Sequence, residues 1–86
     1  MGDELILRQR KEIGLKISQR RTDLDLTRKA FAEKVEPPIS EKYLWEIEDG
    51  QPNISAEMLR KIAVALDVST DWLLGLADKK ADERLS

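Results

Sequence analysis

The segment ISEKYLWEIEDG, from Ile39 to Gly50, places several chemically active side chains on one face of a short helical pattern. That face carries three carboxylates, an ammonium group and an indole ring: Glu41, Lys42, Trp45, Glu46 and Asp49. Carboxylates accept hydrogen bonds, and the ammonium group donates them. The segment is therefore a candidate binding surface, and its excess of negative charge restricts which partners it can bind.

Catalytic and metal-binding chemistry find little support in the sequence. Neither histidine nor cysteine occurs in the 86 residues. Histidine is the commonest general base and metal ligand, and cysteine is needed for disulfides and thiolate metal sites. The sequence also has no Gly-rich phosphate loop, and a charged surface accounts for its carboxylates. We therefore expect no enzyme activity, no metal and no cofactor.

The composition, 41% hydrophobic and 37% charged, is that of one small soluble globular domain. No apolar run approaches the length of a membrane span. The N-terminus carries acids ahead of its apolar triplet, unlike a signal peptide. The absence of cysteine fits a reducing compartment. We expect a cytoplasmic protein with no membrane partner.

The net charge of −2 is unevenly distributed along the chain. Residues 1–34 contain nine Lys and Arg against six Asp and Glu, whereas residues 35–86 contain six against eleven. The basic half could face phosphate. The acidity of residues 35–86 argues against a uniformly basic nucleic-acid-binding protein.

A helix-start signature occurs four times. In each case an apolar residue precedes a Ser or Thr, and a second apolar residue lies five positions after the first. The four are Leu26-Thr27 with Phe31, Ile39-Ser40 with Leu44, Ile54-Ser55 with Leu59, and Val68-Ser69 with Leu73. Each fits a hydroxyl N-cap combined with a hydrophobic staple. The pattern predicts four helix starts.

Another helix precedes these four, and we predict it over residues 3–21. Its helical spacing is set by Ile6, Ile13, Ile17 and Leu24, and Gly14 weakens its middle by roughly 1 kcal/mol relative to Ala. The second helix is predicted over residues 27–35. Its inward residues are expected to be Ala30, Phe31 and Val35. The EPP sequence at 36–38 stops it, because proline cannot continue a helix.

The remaining helices are predicted over residues 40–49, 55–66 and 69–76. Gly50 ends the third helix. The inward stripe of the fourth consists of Leu59, Ile62, Ala63 and Leu66. No alternating strand pattern occurs. The predicted fold is a compact all-α domain of five short helices over residues 1–76, followed by a polar tail over residues 77–86.

Several motifs together identify a resemblance that covers most of the chain, from about Ile13 to Gly75. The most specific are AFAEKV in the second helix, YLWEIEDG closing the third, and LRKIAVALDVSTDWLLG through the last two. They resemble the lambdoid phage repressor, Cro and Xre type of bacterial helix-turn-helix domain. The resemblance implies a five-helix lambda-repressor-like fold. It also implies a DNA-binding transcriptional regulator, often a homodimeric repressor on a palindromic operator, with the third helix in the major groove.

The resemblance assigns a role to each matching residue. Arg28, near the start of the second helix, would contact a phosphate. Ser40, together with the N-terminus of the third helix, would lie next to the backbone of double-stranded DNA. Glu41, Lys42 and Glu46 would face base edges.

The resemblance also implies a structural ion pair and a dimer interface. Arg21 and Glu48 match a pair that forms a buried salt bridge. Helix geometry supports this independently, because Glu48 lies one turn after Leu44, on or beside the buried stripe. The dimer interface would involve the fifth helix, around three residues: Thr70, Leu74 and Leu76.

The polar residues of the third helix also have structural explanations. Glu41 at the first helical position would stabilise the helix macrodipole, or it could accept from cytosine N4. Lys42 and Glu46 could form a surface pair one turn apart, or Lys42 could donate to guanine or phosphate. Trp45 could belong to the core, contact a thymine methyl or sugar, or dock a protein.

Outside the third helix, Trp72 is explained by packing at the domain or dimer interface. The basic side chains of the first helix are expected to form a solvated face: Arg8, Arg10, Lys11, Lys16 and Arg20.

Three features depart from the pattern of the resembling domains. The turn EPPIS is about two residues longer than usual, the loop after the third helix reads QPN where a cation is common, and the reading face is acidic. The acidic face, together with Trp45, favours a second hypothesis, in which the scaffold binds a protein partner, as an anti-repressor or partner-binding subunit would.

Overall fold

A computed structural model describes the backbone of residues 2–77 and the side chains from residue 5 onward. Within this range the chain forms five helices and no strand: α1 (Gly2–Asp23), α2 (Arg28–Lys34), α3 (Glu41–Glu48), α4 (Ala56–Leu66) and α5 (Thr70–Leu73). The all-α, five-helix prediction is confirmed. The predicted tail lies outside the described residues, apart from Ala77, so its boundary stays a prediction.

The four predicted helix starts are all present, and each hydroxyl accepts a hydrogen bond from a backbone N–H three residues later. The distances are 3.1 Å for Thr27 to Ala30, 3.0 Å for Ser40 to Tyr43, 3.1 Å for Ser55 to Met58 and 3.0 Å for Ser69 to Trp72. These bonds satisfy N–H groups that have no partner inside their own helix.

Four helix ends share one hydrogen-bonding pattern, in which a left-handed residue follows the last turn. These residues are Asp25, Gly50, Asp67 and Gly75, with φ between 57° and 77°. After α5, for example, Leu76 N donates to Asp71 O at 2.8 Å. This closure stops α5 at Leu73, three residues before the predicted end. Of these four residues only Gly50 was expected to end its helix. Aspartate adopts this conformation much less often than glycine, and Gly75 lay inside the predicted fifth helix.

The core lies where the inner faces of all five helices meet. Its largest fully buried side chains are Phe31, Ile17, Leu44, Ile47, Ile62, Leu66, Leu73 and Val35. The prediction that Ala30 points inward is wrong: Ala30 is exposed, and Ala32 is buried in its place. The inward face of α2 is thus formed by Phe31, Ala32 and Val35. Ile6 is 46% exposed and lies outside the core.

Helix α1 crosses the C-terminal end of α3 at backbone contact distance. A Cβ added at Gly14 would lie against the carbonyl oxygen of Glu48 and 2.7 Å from that of Ile47. A Cβ at Gly50 would lie 2.9 Å from Cγ of Lys11. Gly14 therefore weakens α1 as an isolated helix but allows its packing on α3, and the packing explains a glycine in mid-helix.

We predict that Gly14→Ala lowers the free energy of unfolding by about 1–3 kcal/mol, because the new methyl group must displace backbone. This loss opposes the gain of roughly 1 kcal/mol that alanine brings to an isolated helix. Urea denaturation followed by circular dichroism measures the difference. Gln19→Ala, at an exposed position of the same helix, is the control. A Gly14→Ala domain more stable than the parent would contradict the close approach of α1 and α3.

Candidate nucleic-acid interface

Helices α2 and α3 pack against each other and are joined by residues 35–40. The connection is six residues long, longer than the three or four residues of a usual helix-turn-helix turn, as the EPPIS sequence indicated. Two backbone bonds hold it to α2: Val35 N donates to Phe31 O at 3.2 Å, and Ile39 N donates to Ala32 O at 3.1 Å. The longer connection is thus held against α2 by these two hydrogen bonds.

One side of α3 is buried and the other is exposed. Leu44, Ile47 and Glu48 face inward. The outward side is formed by Glu41, Lys42, Trp45 and Asp49, with Glu46 partly exposed beside them. These are the residues that the sequence placed on one face. They form a continuous surface of one helix, which we call the reading face.

Trp45 is 46% exposed, so the core alternative for this residue is wrong. The ring stays exposed although the connection before α3 is longer than usual. Glu41 is the first residue of α3, where its charge favours the helix dipole. Among the described residues, Lys42 and Glu46 are not paired with each other, so the surface-pair explanation does not apply.

Asp49 at the end of α3 accepts a hydrogen bond from Gln51. The Nε2 to Oδ2 distance is 2.7 Å, and both side chains are exposed. Asp49 lies where a negative charge opposes the helix dipole. The amide of Gln51 provides a local partner for it.

A buried carboxylate joins the ends of three helices. Arg21 Nε lies 2.7 Å from Glu48 Oε2, and Arg21 Nη2 donates to Oε1 at 3.2 Å. Arg21 Nη1 also donates to Leu26 O at 2.7 Å. The Glu48 side chain is only 4% exposed. Arg21 thereby ties the end of α1 to the following loop and to the last turn of α3.

Arg28 is a second partner of Glu48, which sequence reasoning missed. Its Nε lies 3.0 Å from Glu48 Oε1, and its side chain is 41% exposed. No periodicity links the two, because they are 20 positions apart on different helices. We refer to Arg21, Glu48 and Arg28 as the arginine–glutamate triad.

Two of the α1 cations are structural, so the prediction that all five form a solvated face is wrong. Lys16 Nζ donates to Trp72 O at 2.7 Å and lies 5.1 Å from the Trp72 ring centroid. Arg20 Nε donates to Leu66 O at 3.0 Å, at the end of α4. Cations favour the carbonyl ends of helices. A signal existed: Lys16 and Arg20 each follow a core-facing isoleucine by three positions, Ile13 and Ile17.

Comparison with known proteins identifies the family. A family model for the helix-turn-helix, of the Cro and Xre type, matches residues 17–73. The chain belongs to this helix-turn-helix family. The family is one of DNA-binding domains and not of catalytic ones, so membership implies that this domain binds DNA. Neither the curated proteins nor the solved structures give a significant match.

Within residues 2–77, none of the helices combines the length and the apolarity needed to cross a membrane. In the same part of the chain, no three carboxylates are grouped so that they could hold a metal ion.

We predict that Glu48→Ala destabilises the domain by about 3–5 kcal/mol, because it leaves the largely buried Arg21 guanidinium without its carboxylate. That is a large share of the stability of a small domain. Thermal and urea denaturation measure the loss. Glu33→Ala, which removes an exposed carboxylate from α2, should change stability by less than about 0.5 kcal/mol. An unchanged melting temperature for Glu48→Ala would rule out a stabilising triad.

Proposed function

We propose that this chain is a sequence-specific transcriptional regulator, a repressor, that reads an inverted-repeat operator with α3 in the major groove. The observation that carries the proposal is the outward face of α3. It remains exposed in a helix-turn-helix domain, and it bears hydrogen-bonding side chains along its whole length. An exposed recognition helix of this kind fits the width of the major groove.

The contacts divide into those that position the protein and those that read bases. Arg28, half-exposed at the start of α2, would contact a phosphate. The exposed Ser40 and the N-terminus of α3 would approach the DNA backbone. Lys42 would donate to guanine or phosphate, and Glu41 and Glu46 would accept from cytosine N4.

Trp45, at the centre of the reading face, would contact a thymine methyl group or a sugar. Its exposed surface supplies an apolar patch between the carboxylates. Apolar contact with the thymine methyl group is a recognised form of base readout.

The negative charge of α3 is compatible with this role. Affinity for DNA comes largely from phosphate neutralisation, whereas specificity comes from base edges. Carboxylates on the reading face therefore weaken general attraction but can still discriminate between base pairs. With few cations near the face, we expect weak, salt-sensitive binding that becomes useful only when two copies bind together.

We propose a homodimer formed through the region of α5. Leu74 is 46% exposed and Leu76 is 75% exposed, and Thr70 lies half-buried at the start of the helix. A groove of about 130 Å³ next to Leu74 is lined by α1 and α5. Apolar side chains beside a groove are suited to packing against a second copy of the same surface.

A second candidate function is protein binding through the same reading face. It is favoured by Trp45, which is 46% exposed and shares the reading face with Glu41, Glu46 and Asp49. An exposed tryptophan is a common hot spot of protein interfaces. In this alternative the domain acts as an anti-repressor or a partner-binding subunit.

We predict opposite effects for the cation and the carboxylates in duplex titrations at two salt concentrations. Arg28→Ala should weaken binding to all duplexes and lower the salt slope by about one unit, because a phosphate contact carries no sequence information. Glu41→Ala or Glu46→Ala should raise nonspecific affinity, because repulsion falls. Each should also reduce discrimination at one base pair by roughly 1–3 kcal/mol.

Glu33→Ala on α2 is the charge-matched control, since it removes an exposed carboxylate that belongs neither to the reading face nor to the groove beside Leu74. A folded, dimeric wild-type protein that binds no duplex at low salt would overturn the repressor proposal. In that case Trp45→Ala should weaken a protein complex by 2 kcal/mol or more, on the order of a hot-spot residue.

We further predict that duplexes selected from a random pool contain an inverted repeat, with half-sites about one helical turn apart. The two-fold axis of a protein dimer imposes the same symmetry on its site. Leu74→Glu should lower affinity for the full site while leaving half-site binding unchanged. One protein copy per full site, or selected sequences without symmetry, would contradict the dimer.

A further inference from the structure

We propose that Glu48 is a positioning residue for DNA binding: its buried carboxylate holds the Arg28 guanidinium so that the terminal nitrogens of Arg28 face a phosphate. This inference deepens the proposed function and rests on it. The observations behind it are the 3.0 Å bond from Arg28 Nε to Glu48 Oε1 and the unequal burial of the two side chains, 41% exposed for Arg28 and 4% for Glu48.

Glu48 does not need Arg28 for its own neutralisation. Arg21 already contacts both carboxylate oxygens, at 2.7 and 3.2 Å, and is itself largely buried. With Arg28 added, one carboxylate faces two guanidinium groups, so the triad carries a net positive charge. That excess charge lies on the half-exposed member of the triad, Arg28.

Helix stability does not explain Arg28 either. It is the first residue of α2, and the first turn of that helix contains no acid. A cation at a helix N-terminus is unfavourable because the helix dipole is positive there. The carboxylate of Glu48 offsets this repulsion from across the helix-turn-helix unit. The arrangement therefore holds a cation at an electrostatically unfavourable position. A phosphate bound from outside the protein would supply a further negative charge there and would account for the arrangement.

The geometry of arginine makes such sharing possible. The bond to Glu48 uses Nε, while the two terminal nitrogens carry the remaining N–H donors of the guanidinium. A long side chain loses rotamer freedom when it binds, and one that is already held loses less. Glu48 would thus improve phosphate binding without touching DNA. The lysine side chain has a single nitrogen, so it has no second nitrogen to donate to a phosphate while the first binds the carboxylate.

The test is a double-mutant cycle on DNA affinity, using the duplex selected by the wild-type protein. Glu48→Gln, which keeps size and an acceptor oxygen, should weaken binding by roughly two- to tenfold, the range expected for freeing one ordered side chain. In an Arg28→Ala background the same substitution should change affinity by less than about twofold, because no held side chain remains. Each variant is assayed at a temperature where circular dichroism shows it folded.

A role of Glu48 in stability alone predicts a different pattern. Its substitution would then weaken binding by the same factor in both backgrounds, and that result would overturn the positioning role while leaving DNA binding intact. Ile62→Val in the core is the control for destabilisation on α4, a helix that carries no member of the triad. It should leave the affinity of the folded protein unchanged in either background.

Arg28→Lys provides a second measurement that does not depend on altering Glu48. If Arg28 is held through Nε, this substitution should lose nearly as much affinity as Arg28→Ala despite keeping the charge. Wild-type affinity in Arg28→Lys would overturn the proposal. A folded wild-type protein that binds no duplex at low salt would overturn the proposed DNA-binding function, and this inference with it.

Discussion

The carboxylate of Glu48 is the group on which the arrangement of this domain depends. An ionised carboxylate removed from water is strongly destabilising unless charged donors surround it. Two arginines supply those donors, Arg21 from the end of α1 and Arg28 from the start of α2, while Glu48 itself closes α3. Three helices are consequently fixed relative to one another at one point. The position of the reading face follows from that fixation.

Helix α1 packs against α3, α4 and α5. Its backbone lies so close to the end of α3 that only glycine fits at position 14. Further along the same helix, Lys16 and Arg20 donate to carbonyl groups at α5 and at the end of α4. Cations at these carbonyls satisfy acceptors that the short helices leave open. Part of the positive charge of the N-terminal half is thus engaged in contacts within the domain.

This use of charge bears on how an acidic reading face can serve a DNA-binding domain. Arg20, Arg21 and Lys16 are engaged by the protein itself, so they contribute less to attracting phosphate than their number suggests. Arg28 and Lys42 are the cations that the proposed function places against DNA. Under the proposed function, such a domain would depend on accurate placement of few contacts, and it would discriminate by its carboxylates and by Trp45.

The sequence by itself determined the five helices and where four of them begin, because hydroxyl caps and apolar spacing act within a few residues. It also placed Glu41, Lys42, Glu46 and Asp49 on one face of α3, whereas the pairing of Arg21 with Glu48 was implied by the resemblance to known helix-turn-helix domains. The burial of Ala32 in place of Ala30 and the exposure of Trp45 were decided by tertiary packing.

The same holds for the second partner of Glu48 and for the need for Gly14. These features depend on which groups approach across distances of 20 or more residues, as Arg28 and Glu48 do, and no local pattern encodes such an approach. Local propensity determines where a helix forms, whereas the packing of the assembled core determines which residues each face of the helix contacts.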